Sequence, residues 1–367
     1  MQPVFDEKQL TGLKLEGYKS IKACALNLGA LNVLIGANGA GKSNFISFFR
    51  LIGEILAGNL QTYISKQGGP DSLLRHGRKH TETLKAEIHF GNNGYFIDLE
   101  PTNDNRIMFR TEGFWWNLGE TKNIGTGHFE SNVDKGPGTG INHHVLAAMK
   151  SWRVYHFHDT SESAKVKQAG QINDNQYLRQ DGRNLAAYLL RLMQKHTAHY
   201  NKIVRTIQLV VPFFGDFHLR PAIHNTSQIE LEWTEKGMDV PLKAYALSDG
   251  TLRFICLTTV LNQPEQLMPS TLLIDEPELG LHPYAITVLA AQLKTASEHH
   301  QVIVSTQSVE LVNEFEADDL IVGNRQKGET VFSRINEDKL NSWLEEYSLG
   351  EIWKKNLIGG RPSKWSV

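Results

Sequence analysis

LNVLIGANGAGKSNFISFFRLIGEIL, residues 31–56, establishes what kind of core this chain builds. LNVLI (31–35) is an apolar run apart from Asn32, the pattern of a strand covered on both faces. GANGAGKS, Gly36 to Ser43, fits the phosphate-loop pattern G-x-x-x-x-G-K-[ST] at every fixed position. Apolar residues then recur at helical spacing from Phe45 to Leu56. Strand, glycine loop and helix within 26 residues open an α/β nucleotide-binding unit. The residue types follow from the chemistry. Glycines let backbone N–H groups turn toward an anion with no Cβ in the way, and the helix that follows presents its positive N-terminus to phosphate. The sequence thus predicts a nucleotide cradle of Gly36, Asn38, Gly39, Ala40, Gly41, Lys42, Ser43 and Asn44. Lys42 is expected to reach the β- and γ-phosphates of ATP, and Ser43 to ligate Mg²⁺.

LLIDEPE (272–278) supplies a second half. A buried strand ends in Asp275, whose carboxylate can hold Mg²⁺ through its water shell. Glu276 follows at once and can polarise water for attack on the γ-phosphate. Between the two halves, LSDGTLRF (247–254) sets Ser248, Asp249 and Gly250 before a helical stretch. That arrangement offers a hydroxyl, backbone amides and a helix start to an anion, although by itself S-x-G before a helix is more often just an N-cap.

Outward from these motifs, 11–35 reads as a hairpin running into the buried strand, and 84–110 as a β-meander around Asn92-Asn93-Gly94. Residues 119–142 lack periodicity and read as a surface loop. NLAAYLLRLMQKHTAHYNKIVRTIQLVV (184–211) reads as one long helix stopped by Pro212. IELEW (229–233) and DVPLK (239–243) read as a hairpin around Gly237. TLLID (271–275) and QVIVS (301–305) are buried strands, each followed by a helix, near 284–298 and 309–316. Four segments result: an ATPase lobe over 1–150, a mostly helical insertion with a β-hairpin over 151–245, a second ATPase lobe over 246–345 and an irregular tail over 346–367.

Composition excludes several classes. Net charge is −2, from 38 Lys plus Arg against 40 Asp plus Glu, so bulk charge does not coat nucleic acid and any DNA contact must come from a local patch. Cys24 and Cys256 cannot build a disulfide scaffold or a zinc knuckle. MQPVFDEKQL (1–10) is no signal peptide, and no apolar run approaches the ~20 residues of a membrane helix, so the expectation is a cytoplasmic protein without membrane contact.

The order of GxxxxGKS, LSDGT and LLIDEPE, then a strand ending in a polar residue, resembles the ABC-type ATPases. LEGYKSIKACALNLGALNVLIGANGAGKSN (15–44), LLIDEPELGLHP (272–283), VIVSTQSVEL (302–311) and the stretch 156–192 look most like the RecF/SMC branch and its OLD-like members in bacterial DNA repair and phage defence. The resemblance implies a P-loop ABC-type head: an α/β fold with a mixed β-sheet core, an antiparallel β-subdomain and an inserted helical subdomain. It implies an ATP-dependent homodimer with two nucleotides between protomers. Lys42 and Ser43 of one subunit would grip phosphate and Mg²⁺ while Ser248 and Gly250 of the other touch the γ-phosphate. Glu276 would activate water, and Glu278, Gly280 and Leu281, leading to His282-Pro283, would cross the interface. The switch position, usually His, is Gln307 here. Gln cannot carry a proton but can hydrogen-bond water or phosphate, which implies slow, switch-like turnover. Gln168, Gln171 and Gln176 are candidates for the glutamine lobe that senses Mg²⁺ in that family.

Other signals are weaker. H-x-H-D at His156, His158 and Asp159 lacks a spaced set of metal ligands, as do the pairs His143-His144, His196/His199 and His299-His300. The basic run RHGRKH (75–80), Lys202 with Arg205, and Lys354-Lys355 with Arg361 and Lys364 read as solvated surface or as phosphate contacts. Trp115-Trp116 reads as packing at the meander's edge rather than a base-stacking platform. GPGTG (136–140) has no strand before it to make a phosphate cradle. No D-x-D with a matching upstream Glu follows the last strand–helix unit, so a nuclease or effector would be a separate protein. The reading is therefore a Mg²⁺-dependent ATPase switch in DNA repair or phage defence; the alternative is an ATP-binding scaffold that hardly hydrolyses. A transporter motor is disfavoured by the roughly two hundred residues between phosphate loop and LSDGT and by the missing Gln after that signature.

Overall fold

The computed structural model describes residues 9–117, 119–135, 141–336 and 340–360. In chain order it begins with β1 (Gly12–Tyr18), β2 (Ile21–Asn27), β3 (Leu31–Ile35), α1 (Lys42–Leu56) and α2 (Leu60–Gln67). There follow β4 (Leu84–Phe90), β5 (Asn93–Pro101), β6 (Ile107–Trp116), β7 (Glu120–Gly125), α3 (Ile141–Ser151) and β8 (Arg153–Tyr155). The middle holds β9 (Gly170–Gln171), α4 (Leu185–Lys195), α5 (Thr197–Val210), β10 (Phe214–Phe217), β11 (Pro221–Ala222), β12 (Asn225–Ile229), β13 (Glu232–Glu235) and β14 (Leu242–Lys243). Last come α6 (Asp249–Leu261), β15 (Thr271–Asp275), α7 (Pro283–Ser297), β16 (Gln301–Ser305), α8 (Val309–Val312), β17 (Leu320–Gln326), β18 (Glu329–Arg334), α9 (Asn341–Leu344) and α10 (Leu349–Lys354).

Two compact units divide the chain: residues 1–154, 270–273 and 301–367, and residues 155–269 with 274–300. These limits cut the chain differently from the four segments drawn at 150, 245 and 345, because β15 and β16 return to a sheet that begins at the N-terminus.

The first unit carries a mixed sheet of strand order β7-β6-β5-β4-β1-β2-β18-β17-β3-β16, which continues through β15 and β8 to twelve strands. β3 lies between β16 and β17, parallel to both, and all five of its residues are buried. LNVLI is apolar apart from Asn32, whose buried amide donates to Gly29 O at 2.8 Å, as a strand with neighbours on both edges and cover on both faces requires. The other half is an antiparallel meander, and β4 alternates buried with half-buried or exposed positions along LKAEIHF. α1 buries Phe45, Phe48, Phe49, Ile52 and Leu56 against this sheet's core, where Phe49 packs edge-on against Trp152 with centroids 5.1 Å apart. Glu112, fully buried on β6, is held by Tyr95 Oη (2.5 Å), His128 Nε2 (2.9 Å), Ser131 Oγ (2.5 Å) and the Asn132 N–H (2.8 Å). A carboxylate that far from water is tolerable only with its oxygens filled in this way.

In the second unit α5 packs on α4, α6 and α7, with two three-stranded sheets, β10-β13-β14 and β11-β12-β9. Asn262 at the end of α6 donates to Gln292 Oε1 of α7 at 2.5 Å.

Several expectations are corrected. Residues 120–125 form β7, paired antiparallel to β6, where a loop was expected; as the sheet edge the strand exposes Glu120 to Asn123 and half-buries only Ile124 and Gly125. The stretch GPGTG lies outside the described residues. The long helix breaks at His196, at φ −139° and ψ 50°, into α4 and α5. The second hairpin forms around Gly237 as expected, β13 pairing with β14 through Glu232↔Lys243 and Trp233↔Leu242. The tail contains α10, with a capping box between Ser348 and Glu351. Within the run 75–80, Arg75 pairs with Glu329 at 2.7 Å and Arg78 with Asp71 at 3.1 Å. Trp115 sits on the meander against the His89 ring, centroids 4.8 Å apart. No helix among the described residues is long and apolar enough to cross a membrane.

Candidate nucleotide site

In the first unit, β3 ends at Ile35 and the loop turns at once through Gly36, Gly39 and Gly41, with φ of +148°, +80° and +98°. Two of these glycines are enforced by space as well as conformation. A Cβ on Gly36 would collide with the carbonyl oxygen of Gly323 on β17, and one on Gly41 with the Thr330 side chain on β18. Gly41 serves as N-cap of α1, no side chain caps the helix, and its first turn holds no acidic residue. The loop therefore aims an uncapped, positive helix start at whatever lies over it.

Lys42 is 4% exposed, and its ammonium donates to Gly36 O at 2.6 Å and Ala37 O at 3.3 Å, folding the loop over itself. Ser43, Asn38 and Gly39 are exposed, while Ala40 is buried. The Asn44 side chain donates to Ser20 Oγ at 2.7 Å and so ties α1 to the β1–β2 turn. The glycine cradle, the cation and the uncapped amides fit a polyphosphate, and the Ser43 hydroxyl fits a hard cation.

β16 runs beside β3 in register Ser305↔Leu34, and Thr306 N–H donates to Leu34 O at 2.9 Å. Gln307 thus leaves the sheet on the strand next to the one that feeds the phosphate loop. Ser308 caps α8 by accepting from Leu311 N–H at 3.1 Å.

The second unit holds the acidic residues. Asp275 closes β15 at 7% exposure, with His156 Nδ1 3.7 Å from its Oδ2 and His158 Nε2 3.0 Å from its carbonyl oxygen. The two imidazoles lie with centroids 3.9 Å apart. H-x-H, set aside in the sequence as surface or core polarity, therefore brackets Asp275. Glu276 has φ +46°, an uncommon conformation for a non-glycine residue that costs about 1 kcal/mol or more. Backbone strain of this kind clusters at functional sites. Glu278 is 8% exposed, and Gly280 at φ +73° completes the turn.

Ser248 caps α6 by accepting from Thr251 N–H at 3.2 Å, and Ser248 and Asp249 are exposed. A Cβ on Gly250 would collide with Gly280 O, so the LSDGT segment and the turn after Asp275 are packed backbone to backbone. Arg253 locks them together: its guanidinium donates to Leu279 O (3.0 Å), Phe157 O (3.1 Å), His158 O (2.9 Å) and Thr160 Oγ1 (3.1 Å). Sequence reading passed over Arg253. Its position inside LSDGTLRF was the only signal, and its four acceptors are remote in sequence. His282 caps α7 through Nδ1, accepting from Tyr284 N–H at 3.3 Å, with Pro283 at the first helical position. Gln168 donates to Tyr245 Oη at 2.8 Å, Gln171 lies on β9 paired with Gln228, and Gln176 is in the turn before α4. No group of three or more His, Cys, Asp or Glu among the described residues is arranged to hold a metal ion.

Sheet, phosphate loop and α/β order together define the P-loop ABC-type ATPase fold. The chain belongs to the family described as "AAA domain, putative AbiEii toxin, Type IV TA system", whose model it matches over residues 31–313. Its fold is similar to that of an Smc head bound to the C-winged helix domain of ScpA, at a TM-score of 0.62 and 17% identity over 91% of this chain and 99% of the other. An Smc head with an extended coiled coil, bound to the C-terminal domain of ScpA and derived from Pyrococcus furiosus, gives a TM-score of 0.60 at 16% identity, covering 92% and 98%. One with a coiled coil and joint from Pyrococcus yayanosii gives 0.56 at 12% identity, covering 92% and 99%. No curated protein matches the chain.

Proposed function

We propose that this chain is a Mg²⁺-dependent, slowly hydrolysing ATPase that closes as an ATP-sandwiched homodimer and works as a switch in DNA repair or phage defence, controlling a separate nuclease or effector. The observation that carries the reading is the phosphate loop. Glycines packed against Gly323 and Thr330, an uncapped α1 and Lys42 folded onto Gly36 O make an anion site of the kind ATP requires. Lys42 and the amides of Gly39, Ala40 and Gly41 hold phosphate. Ser43 and Asp275 hold Mg²⁺, which supplies charge neutralisation on the phosphates when bound. Glu276 orients and deprotonates water, and Gln307 fixes that water by hydrogen bonds alone. Ser248, Asp249 and Gly250 serve the nucleotide of a second copy; the exposure of Ser248 and Asp249 at the start of α6 supports this. A role in defence is supported by the toxin named in the family's description. DNA contact, if part of the cycle, falls to local basic patches.

The test is nucleotide binding, single-turnover hydrolysis and mass by light scattering, for wild type, Lys42→Ala and Glu276→Gln. Lys42→Ala abolishes binding; Glu276→Gln binds ATP, stops turnover and doubles the mass. A monomer under every condition would refute the dimer. Equal, negligible hydrolysis in wild type and Glu276→Gln would favour the second reading, an ATP-binding scaffold, for which Gln307 in place of His is the supporting observation.

A further inference from the structure

The last described stretch of chain grips two loops of the first unit. α10 seats on α8, which starts two residues after Gln307. Gly350 N–H donates to Asn313 Oδ1 at 2.7 Å, and a Cβ on Gly350 would come within 2.9 Å of Val309 O. Asn356, at φ +62°, ends α10 and turns the chain toward Gly359 and Gly360, at φ +81° and +84°. Gly360 N–H donates to Asn324 Oδ1 of β17 at 2.5 Å. Gly360 O accepts the Ala37 N–H at 2.6 Å, inside the phosphate loop. Gly360 is buried, and a Cβ there would lie 2.8 Å from Trp353 Nε1 and 3.3 Å from Gly36 Cα. Conformation and space therefore both demand glycine at 360.

We infer that residues 349–360 form a clamp that fixes the phosphate loop and the Gln307 loop relative to one another, with Asn324, Gly350 and Gly360 as positioning residues for nucleotide turnover. The inference rests on the ATPase reading above. Glycine-rich backbone is costly to order, and a loop ordered before binding spends none of the ligand's binding free energy on that step. Ala37 N–H is tied to the clamp, while the amides at the start of α1 keep their direction toward phosphate. One segment therefore holds both the anion cradle and α8, the helix that follows Gln307.

The experiment compares full-length wild type, Gly360→Ala, Asn324→Ala and Lys42→Ala for ATP Kd (by a fluorescent ATP analogue), single-turnover rate, nucleotide-free melting temperature and amide exchange over 36–41. Gly360→Ala is expected to raise Kd about tenfold and Asn324→Ala about fivefold, from one lost hydrogen bond with or without left-handed strain. Both should slow turnover and speed exchange at Ala37. A purely structural role would lower the melting temperature with Kd unchanged, and that result overturns the clamp. Near wild-type Kd and rate in both variants, with binding lost in Lys42→Ala, overturns the clamp and leaves the ATPase reading standing. Wild-type-like binding in Lys42→Ala overturns the ATPase reading itself. Should the variants not fold, rapid exchange of the Ala37 amide in nucleotide-free wild type overturns the clamp.

Discussion

Arg253→Met tests whether one guanidinium holds the acidic turn in place. Met keeps much of the stem volume and removes every donor. Phe157 O, His158 O and Thr160 Oγ1 are partly buried and lose their partner, while Leu279 O is exposed and turns to water. At about 1 kcal/mol for each partly buried bond, the loss is about 3 kcal/mol. At ~2–4 °C per kcal/mol for a domain of this size, the second unit's melting temperature falls by roughly 6–12 °C. Urea unfolding followed by Trp233 fluorescence, a residue buried in that unit, reads the same loss as a lower midpoint. Gly280 lies against Arg253 Nη1, so the turn that follows Glu276 loosens and single-turnover hydrolysis slows, whereas ATP affinity, set by the phosphate loop, stays within about twofold. Arg253→Lys rescues little, because an ammonium cannot span four acceptors. A loss below 1 kcal/mol, or an Arg253→Lys protein as stable and active as wild type, would refute the reasoning.

Glu276→Gly relieves the φ of +46°, and calorimetry should show a gain of about 0.5–1 kcal/mol while hydrolysis is abolished; a destabilised variant would remove the case for strain. Glu112→Ala leaves Tyr95, His128, Ser131 and Asn132 without an acceptor and should cost about 3 kcal/mol or more in urea unfolding, with ATP binding by the remaining folded protein unchanged. Burial holds His89 and His300 below the usual imidazole range, so the unfolded chain takes up protons first as pH falls. Both contributions are fully present above the unfolded pKa near 6.5 and are lost as pH drops below it. The melting temperature should decline from pH 7.5 to 5.5, and a His300→Asn protein with an identical decline would exclude His300 as a source. Burial also pushes the Cys24 and Cys256 thiols up to about 12, so native protein at pH 8 should react with a maleimide far more slowly than urea-unfolded protein.

The phosphate loop, the LLIDEPE strand and QVIVS were legible because each is a local pattern whose meaning does not depend on distant chain. A short, mainly apolar strand must be covered on both faces, and a glycine-rich turn between it and an amphipathic helix has few uses. The same locality explains the failures. β7 is polar apart from Ile124 and Gly125, since an edge strand takes its order mainly from pairing with β6. The periodicity through 184–211 continued across His196, where only backbone dihedrals record the break.

Residue type and spacing by themselves determined that this chain has a P-loop α/β core and picked out the lysine, serine and carboxylates proposed as its reactive groups. Tertiary structure alone decided that Arg253 binds four carbonyl and hydroxyl acceptors, that His156 and His158 flank Asp275, and that Gly360 reaches back to Ala37. Those partners are backbone atoms or residues scores to hundreds of positions away, and a backbone carbonyl has no identity in a sequence until the fold brings a donor to it.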